Sequence, residues 1–195
     1  MTVGRPVEFD KEKVLNAAMS AFWSQGFEGT SLQELLQVTG LSKSSLYQAF
    51  GDKEDLFLLC LDQYTSSTKD KLLAQLSLSD SGLYFIKQVL LSAADEAKSR
   101  SLPKGCMIMN TATEFAQNNP VVSKYVNKGI EAFKFVFLTA LKKAVAQREI
   151  PENSNLDQMA AFVVSSMSGI KSMVKAGAHK RDIENLVKFV MKSMN

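Results

Sequence analysis

The sequence is poor in residues that cross-link or interrupt a chain. Its 195 residues include two cysteines, four prolines and ten glycines. Two cysteines do not make a disulfide framework, so a reducing compartment is expected. Because proline and glycine are absent over long stretches, helices can extend without interruption. We therefore expect an all-α protein.

The sequence also lacks a long hydrophobic run. No uninterrupted apolar segment is longer than the one at residues 56–61, whereas a membrane-spanning helix needs about 20 apolar residues. The first residues include Glu8 and Asp10 instead of the apolar stretch of a secretory signal. We expect a cytoplasmic protein with no membrane partner.

Residues that typically carry catalysis or bind metals are scarce. The single histidine and the two cysteines supply neither a zinc site nor a Cys–His pair with a supporting motif. The sequence contains no glycine-rich phosphate-binding loop. These absences argue against an enzyme, and no cofactor or metal is expected.

Net charge gives little support for a nucleic-acid partner. The whole chain carries +3, but residues 1–53 contain five basic and six acidic side chains, which sum to −1. A DNA-binding function must therefore rest on where particular basic residues lie rather than on bulk charge.

A helix–turn–helix pattern covers residues 30–53. Ser31 is suited to N-cap the first helix, with Glu34 three residues later completing a capping box. Gly40 stands where the chain must turn sharply, and Ser42 is suited to cap the second helix. The side chain of Leu46 is expected to face inward, which leaves the polar side chains of the same helix for solvent or a partner. In such motifs the second helix enters the major groove of DNA.

This stretch closely resembles the N-terminal domain of TetR-type transcriptional regulators over residues 8–60. The matching residues are Gly26, Phe27, Thr30, Ser31, Leu32, Gly40, Leu41, Ser42, Lys43, Leu46, Tyr47, Phe50, Asp52, Lys53 and Glu54. The resemblance implies a three-helix DNA-binding domain at residues 1–53 and a helical effector-binding and dimerisation domain at residues 54–195.

The resemblance also implies roles for individual side chains. Residues 43–45 are expected nearest to base edges, whereas Thr30, Tyr47, Gln48 and Lys53 are expected to contact phosphates. Arg5 in the N-terminal arm is an additional candidate for a groove or phosphate contact, or else a solvated charge. The expected DNA-binding residues are Thr30, Ser31, Ser42, Lys43, Ser44, Ser45, Tyr47, Gln48 and Lys53.

Aromatic and methionine side chains in the middle helices predict an apolar cavity for a small-molecule effector. The expected lining residues are Tyr64, Tyr84, Phe85, Cys106, Met109, Asn110, Thr113, Phe133 and Phe137. Two alternatives remain open: the apolar residues can simply fill a core, and Asn110 with Thr113 can belong to an exposed face. Cys106 follows Lys104 and begins a helix, which favours thiol reactivity, although a small buried side chain is the commoner role. Cys60, in an apolar run, is expected to be buried and inert.

The last two helices each carry an apolar stripe at spacings of three and four, and the helix near residues 155–176 carries two such faces. A helix with two apolar faces packs on two sides, so one side is expected to meet a second subunit. The expected dimer-interface residues are Phe162, Ser166, Gly169, Met173, Ile183, Val187 and Val190.

Three functions compete at this point. The first is a ligand-responsive repressor that binds an inverted-repeat, double-stranded operator as a homodimer. The second is an architectural DNA binder without an effector, and the third is an enzyme-like helical domain fused to a helix–turn–helix. The enzyme-like alternative would be supported by a catalytic carboxylate pair or a metal cluster, and the sequence offers neither.

Overall fold

The computed structural model describes residues 9–96, 103–115 and 118–194, and Arg5 in the N-terminal arm lies outside them. These ranges contain nine helices and no strand, so the all-α prediction is confirmed. The helices are α1 (Lys11–Gly29), α2 (Leu32–Thr39), α3 (Lys43–Phe50), α4 (Lys53–Leu78), α5 (Gly82–Glu96), α6 (Met107–Phe115), α7 (Pro120–Ala146), α8 (Leu156–Lys175) and α9 (Lys180–Lys192).

Short-range capping defines the helices at the N-terminal end. The Asp10 carboxylate accepts hydrogen bonds from Glu12 N and Lys13 N and begins α1. Ser31 Oγ accepts from Glu34 N and begins α2, but the Glu34 carboxylate accepts from Gln25 Nε2. The expected capping box at Ser31 is therefore only half present. A complete capping box instead begins α4, formed by Asp52 and Asp55.

Helix α4 connects the first three helices to the remaining helices. Its 26 residues correspond to about 39 Å at 1.5 Å per residue. It packs against α1 and α3, and also against α5, α6 and α7. Helices α7 and α8 pack on each other, and α5 lies against α7, α8 and α9. One core therefore runs continuously from the first three helices into the other six.

No helix in the described ranges is long and apolar enough to cross a bilayer. The long, apolar-faced helices instead bury their stripes against one another. Examples are Phe133, Phe137 and Leu141 on α7, which are at most 3% exposed.

Candidate DNA-binding surface and effector cavity

Helix α3 presents a polar face to solvent while its apolar face is buried. Leu46 is fully buried and Phe50 is 7% exposed, so the helix is fixed to the core by one side. On the other side, Lys43, Tyr47 and Gln48 are exposed. An anchored, eight-residue helix with a solvent-facing polar side fits a DNA major groove.

Three serines organise the N-terminus of α3. Ser42 Oγ accepts a hydrogen bond from Ser45 N at 3.2 Å. The same Oγ lies 3.0 Å from Ser44 Oγ and 2.9 Å from Ser45 Oγ. These contacts order the hydroxyl groups at the end of the helix where backbone amides also point outward. The turn that precedes them contains Gly40 at φ 69°, a left-handed conformation that glycine adopts at little cost.

The two lysines of this surface lie against aromatic rings. Lys53 Nζ lies 4.2 Å from the centre of the Phe27 ring, and Lys43 Nζ lies 5.7 Å from the centre of the Tyr47 ring. Lys53 is half-buried at the start of α4, whereas Lys43 is exposed at the start of α3. Both cations thus stand at helix N-termini, where backbone amides and the helix dipole add to the attraction for a phosphate.

Thr30 does not lie on this surface. Its side chain is fully buried, and its hydroxyl donates a 2.6 Å hydrogen bond to the Gly26 carbonyl oxygen. The expected phosphate contact from this side chain is therefore wrong, because the turn between α1 and α2 uses the hydroxyl internally. The other expected DNA-binding residues are exposed or partly exposed.

A cavity of about 670 Å³ lies between α4, α5, α7 and α8. The buried part of its wall is mainly apolar and includes Phe85, Val89, Phe133 and Met167. The full lining is Trp23, Tyr64, Thr68, Lys71, Leu72, Gln75, Leu78, Ser79, Tyr84, Phe85, Gln88, Val89, Ser92, Cys106, Phe133, Met167 and Lys171.

The expected effector-site residues divide into two groups. Tyr64, Tyr84, Phe85, Cys106 and Phe133 line this cavity, as expected. Four others do not. Phe137 is fully buried in the core. Asn110 and Thr113 line a separate groove beside Gly26, and Met109 is half-buried outside both spaces.

Hydrogen bonds made by the polar side chains of α6 explain why Asn110 and Thr113 lie outside the cavity. Asn110 Nδ2 donates to the Lys104 carbonyl oxygen at 2.8 Å, and Thr113 Oγ1 donates to the Met109 carbonyl oxygen at 2.6 Å. Both polar side chains are therefore engaged by nearby backbone. Of the described residues in α6 and just before it, only Cys106 lines the cavity.

Sequence reasoning overlooked the face of α4 that borders the cavity. Tyr64, Thr68, Lys71, Gln75 and Leu78 line one side of this helix. Their spacing of four, three, four and three was available as a signal. The mixture of polar and apolar types concealed it, because a conventional apolar stripe contains no lysine or glutamine.

Tyr64 makes a hydrogen bond and a ring contact with two other residues of the cavity wall. Tyr64 Oη donates to Cys106 Sγ across 3.8 Å, and the Tyr64 and Trp23 rings meet edge to face with centroids 5.0 Å apart. The buried indole N–H of Trp23 has no hydrogen-bond acceptor among the described residues. Trp23 therefore joins α1 to the cavity.

The two cysteines differ in surroundings although both are buried and unpaired. Cys60 is fully buried in the core, and this burial raises the pKa of its thiol far above the ordinary range. Its thiol is therefore protonated at neutral pH, which agrees with the expected inert role. Cys106 is 4% exposed and lines the cavity, so the cavity is its route to small molecules.

The apolar stripe of α9 packs against other helices of the same chain. Ile183, Val187 and Val190 are at most 3% exposed, and α9 packs against α5 and α8 of the same protomer. Their assignment to a dimer interface is therefore wrong.

Other apolar side chains of the last two helices remain on the surface. Phe162 and Met173 on α8 are 42% and 43% exposed, and Phe189 on α9 is 69% exposed. Gly169 is also exposed, and no atom of the protomer lies within 4 Å of the place where a Cβ would stand. Ser166 is half-buried on the same helix.

Comparison with known proteins agrees with this architecture. The model for the C-terminal domain of tetracyclin repressor-like proteins matches residues 82–190, and that for bacterial regulatory proteins of the tetR family matches residues 14–60. The uncharacterized HTH-type transcriptional regulator YezE of Bacillus subtilis is 28% identical over 177 residues, covering 90% of this chain and 91% of the relative. The HTH-type transcriptional repressor ComR of Escherichia coli is 28% identical over 176 residues, covering 90% and 84%.

A solved structure shares the fold over nearly the whole chain. It is a cysteine mutant of the TetR family regulator CifR in complex with 26-base-pair operator DNA, with a TM-score of 0.84 and 22% identity over 98% of this chain and 100% of that one. The family matches at both ends of the sequence confirm that the helix–turn–helix resembles that of TetR-type regulators. The chain belongs to the tetR family of bacterial regulatory proteins and is a DNA-binding transcriptional regulator.

Proposed function

We propose that this chain is a cytoplasmic, homodimeric repressor that releases an inverted-repeat operator when a small molecule enters the cavity. The observation that carries the proposal is the course of α4. This helix begins at Lys53, beside the recognition helix α3, and lines the cavity from Tyr64 to Leu78. A molecule in the cavity therefore touches the same rigid element that supports the DNA-binding end.

The DNA-binding role is assigned to polar residues at the surface of α3 and to Lys53 at the start of α4. Ser44 and Ser45 stand at the end of α3 that enters the groove, where side chains reach base edges. Tyr47, Gln48 and Lys53 are placed to contact the phosphate backbone, which sets register and affinity. In a two-fold symmetric dimer, two such surfaces read half-sites about one helical turn apart.

The composition of the cavity wall indicates the kind of effector. Its buried wall is mainly apolar, whereas its rim carries the exposed residues Lys71, Gln75 and Gln88 and the half-buried Lys171. No carboxylate is found in the lining formed by described residues. An organic molecule with an apolar body and a polar or negatively charged end fits this distribution. Cavities of this kind bind small molecules through apolar burial, and a few polar groups orient them.

The homodimer is assigned to the exposed faces of α8 and α9. Phe162, Met173 and Phe189 supply large apolar surfaces, and Gly169 allows a second helix to approach closely. Large apolar side chains exposed on two neighbouring helices favour a protein interface.

The mechanism follows from differential binding. An effector shifts the protein between DNA-binding and released arrangements only by as much as it prefers the released one. A preference of about 1–3 kcal/mol would weaken operator binding by roughly 5- to 150-fold. The alternative of an effector-independent DNA binder predicts no such coupling.

The test begins with DNA fragments selected by the purified protein from genomic DNA. A thermal-shift screen then identifies stabilising molecules, since a ligand at 100 times its Kd adds about 2.7 kcal/mol to stability. Binding of the recovered operator is measured with and without each stabilising molecule. Val89→Trp, which fills the cavity, should retain operator binding and lose both the thermal shift and the release.

The matched control for the cavity is Val121→Trp, because Val121 is 51% exposed on α7 and does not line the cavity. It should behave as the wild type in both assays. Operator release that persists fully in Val89→Trp would place the effector elsewhere. A protein that no small molecule stabilises or releases would support the effector-independent alternative.

A further inference from the structure

The backbone breaks at Gly26, close to the end of α1. Gly26 has φ 81° and ψ 176°, which is outside helical geometry, and a further turn follows it up to Gly29. After such a break, the next amide groups lose their partners four residues earlier in the helix. The amides of Phe27 and Glu28 therefore need acceptors from outside the helix.

Glu114 on α6 supplies both acceptors. Its Oε2 lies 3.0 Å from Phe27 N, and its Oε1 lies 2.7 Å from Glu28 N. A carboxylate that accepts from two successive backbone amides forms charge-assisted hydrogen bonds, which are stronger than neutral ones. This side chain acts as a helix cap supplied from a different helix, 86 residues away in the sequence.

The contact requires glycine at position 26. A Cβ there would stand 2.8 Å from Glu114 Oε2 and 3.0 Å from Oε1, so the carboxylate would have to shift away from its present position. The positive φ of Gly26 also disfavours other residues. The break in α1 and the approach of the carboxylate thus depend on the same residue.

The turn held by Glu114 leads directly into the helix–turn–helix. Thr30 closes it with hydrogen bonds from its hydroxyl to the Gly26 carbonyl oxygen and from its amide to the Phe27 carbonyl oxygen. Ser31 follows immediately and caps α2. The position of this turn therefore determines where α2 begins.

Helix α6 also reaches the cavity at its opposite end. Cys106, the residue before α6, lines the cavity and accepts the hydrogen bond from Tyr64 Oη. At the other end, Phe115 packs on Phe27 and Phe57 with ring centroids 5.4 and 5.8 Å apart. The nine residues of α6 span about 14 Å, so one short rigid helix joins the cavity to the turn.

We propose that Glu114 is a positioning residue for operator binding. Through the amides of Phe27 and Glu28, it fixes the orientation of the helix–turn–helix relative to the effector domain, and thereby the separation of the two recognition helices. This inference rests on the proposed dimeric operator binding. In this role Glu114 contacts neither DNA nor effector and acts only through the turn that it holds.

The experiment compares Glu114→Ala and Glu114→Gln with the wild type by three measurements. Amide hydrogen exchange at residues 27–29 reports the hydrogen bonds themselves. A spin label at Asn16→Cys, which is exposed on α1, reports the distance between the two DNA-binding domains of a dimer. The third measurement is the Kd for the operator. Glu152→Ala, which removes an exposed carboxylate from the loop before α8, is the matched control.

In Glu114→Ala we expect at least tenfold faster exchange at residues 27–29, a broadened distance distribution and at least a tenfold higher operator Kd. Glu114→Gln retains one acceptor oxygen and should be intermediate in all three measurements. The Glu152→Ala control should match the wild type. If Glu114→Ala does not fold, the near-isosteric Glu114→Gln decides by the same three measurements.

Faster exchange together with a wild-type distance distribution and wild-type Kd would overturn the inference, because Glu114 would then be only a local cap. Unchanged exchange would overturn it as well. A wild type that gives no distance between protomers would contradict the proposed dimer instead. In that case the exchange rates and operator affinity of Glu114→Ala would still decide the role of Glu114.

Discussion

Replacement of Lys53 by alanine tests whether this residue contacts the phosphate backbone or the bases. A dimer carries Lys53 twice, so the substitution removes two phosphate contacts from one complex. Because the slope of log K against log salt changes by about 0.9 per phosphate contact, the slope should become less steep by about 1.8. Between 50 and 200 mM salt, the affinity of Lys53→Ala should therefore fall about 12-fold less than that of the wild type. Binding should weaken to all sequences alike.

The structure also limits the effect of this substitution on stability. Lys53 Nζ lies 4.2 Å from the centre of the Phe27 ring, and a cation–π contact at a partly exposed site contributes about 0.5–1 kcal/mol. This loss is small beside a typical unfolding free energy of about 5–15 kcal/mol. The protein should remain folded, so a change in binding can be assigned to the missing charge.

The assay is fluorescence anisotropy with the operator and with a scrambled duplex at several salt concentrations. Lys53→Arg, which keeps the charge, should retain the slope, and so should Lys87→Ala, which removes an exposed lysine from α5. Ser45→Ala should instead change the preference between duplexes and keep the slope. If Lys53→Ala altered sequence preference with the salt slope intact, the assignment of Lys53 to phosphate would be refuted.

Three further predictions concern assembly, stability and thiol chemistry. Phe162→Asp should give soluble monomers by light scattering, and soluble dimers would contradict the proposed interface; Val187→Asp should instead unfold the protomer, because Val187 is buried within it. Leu46→Ala should lower the unfolding free energy by about 2–5 kcal/mol in urea titrations, since Leu46 is fully buried, and a loss below 1 kcal/mol would contradict its anchoring role. Cys60 should resist alkylation at pH 8, because its raised pKa keeps the thiol protonated there. It should react only after unfolding or at much higher pH. Rapid labelling of Cys60 in the native protein, detected by mass spectrometry, would show that the thiol is accessible.

Local signals were sufficient for the DNA-binding end of the protein. Gly40 and Ser42 act within four residues of their own position, through a left-handed turn and a cap. Such interactions depend on sequence neighbours alone, so the sequence predicted them together with the exposed face of α3. The Ser31 cap was also predicted, but Glu34 binds Gln25, a partner nine residues away.

Tertiary structure decided which surface each apolar stripe meets. The stripe of Ile183, Val187 and Val190 looks the same whether it packs on α5 of its own chain or on a second subunit. Periodicity shows that a helix face is buried but does not identify what covers it. The sequence therefore determined that α9 has a buried face, and only the packing showed that this face belongs to the protomer.

The cavity and the Glu114 contact depend on residues that are distant in the sequence. A cavity is space left between α4, α5, α7 and α8, and its existence depends on how closely their side chains meet. Glu114 reaches amides 86 and 87 residues earlier because α6 lies beside the break at Gly26. The sequence alone determined the helices, their caps and the recognition surface, since these arise from neighbours along the chain. Only the tertiary structure decided the cavity wall and the contact between α6 and the turn after Gly26, because these arise from the distances between packed helices.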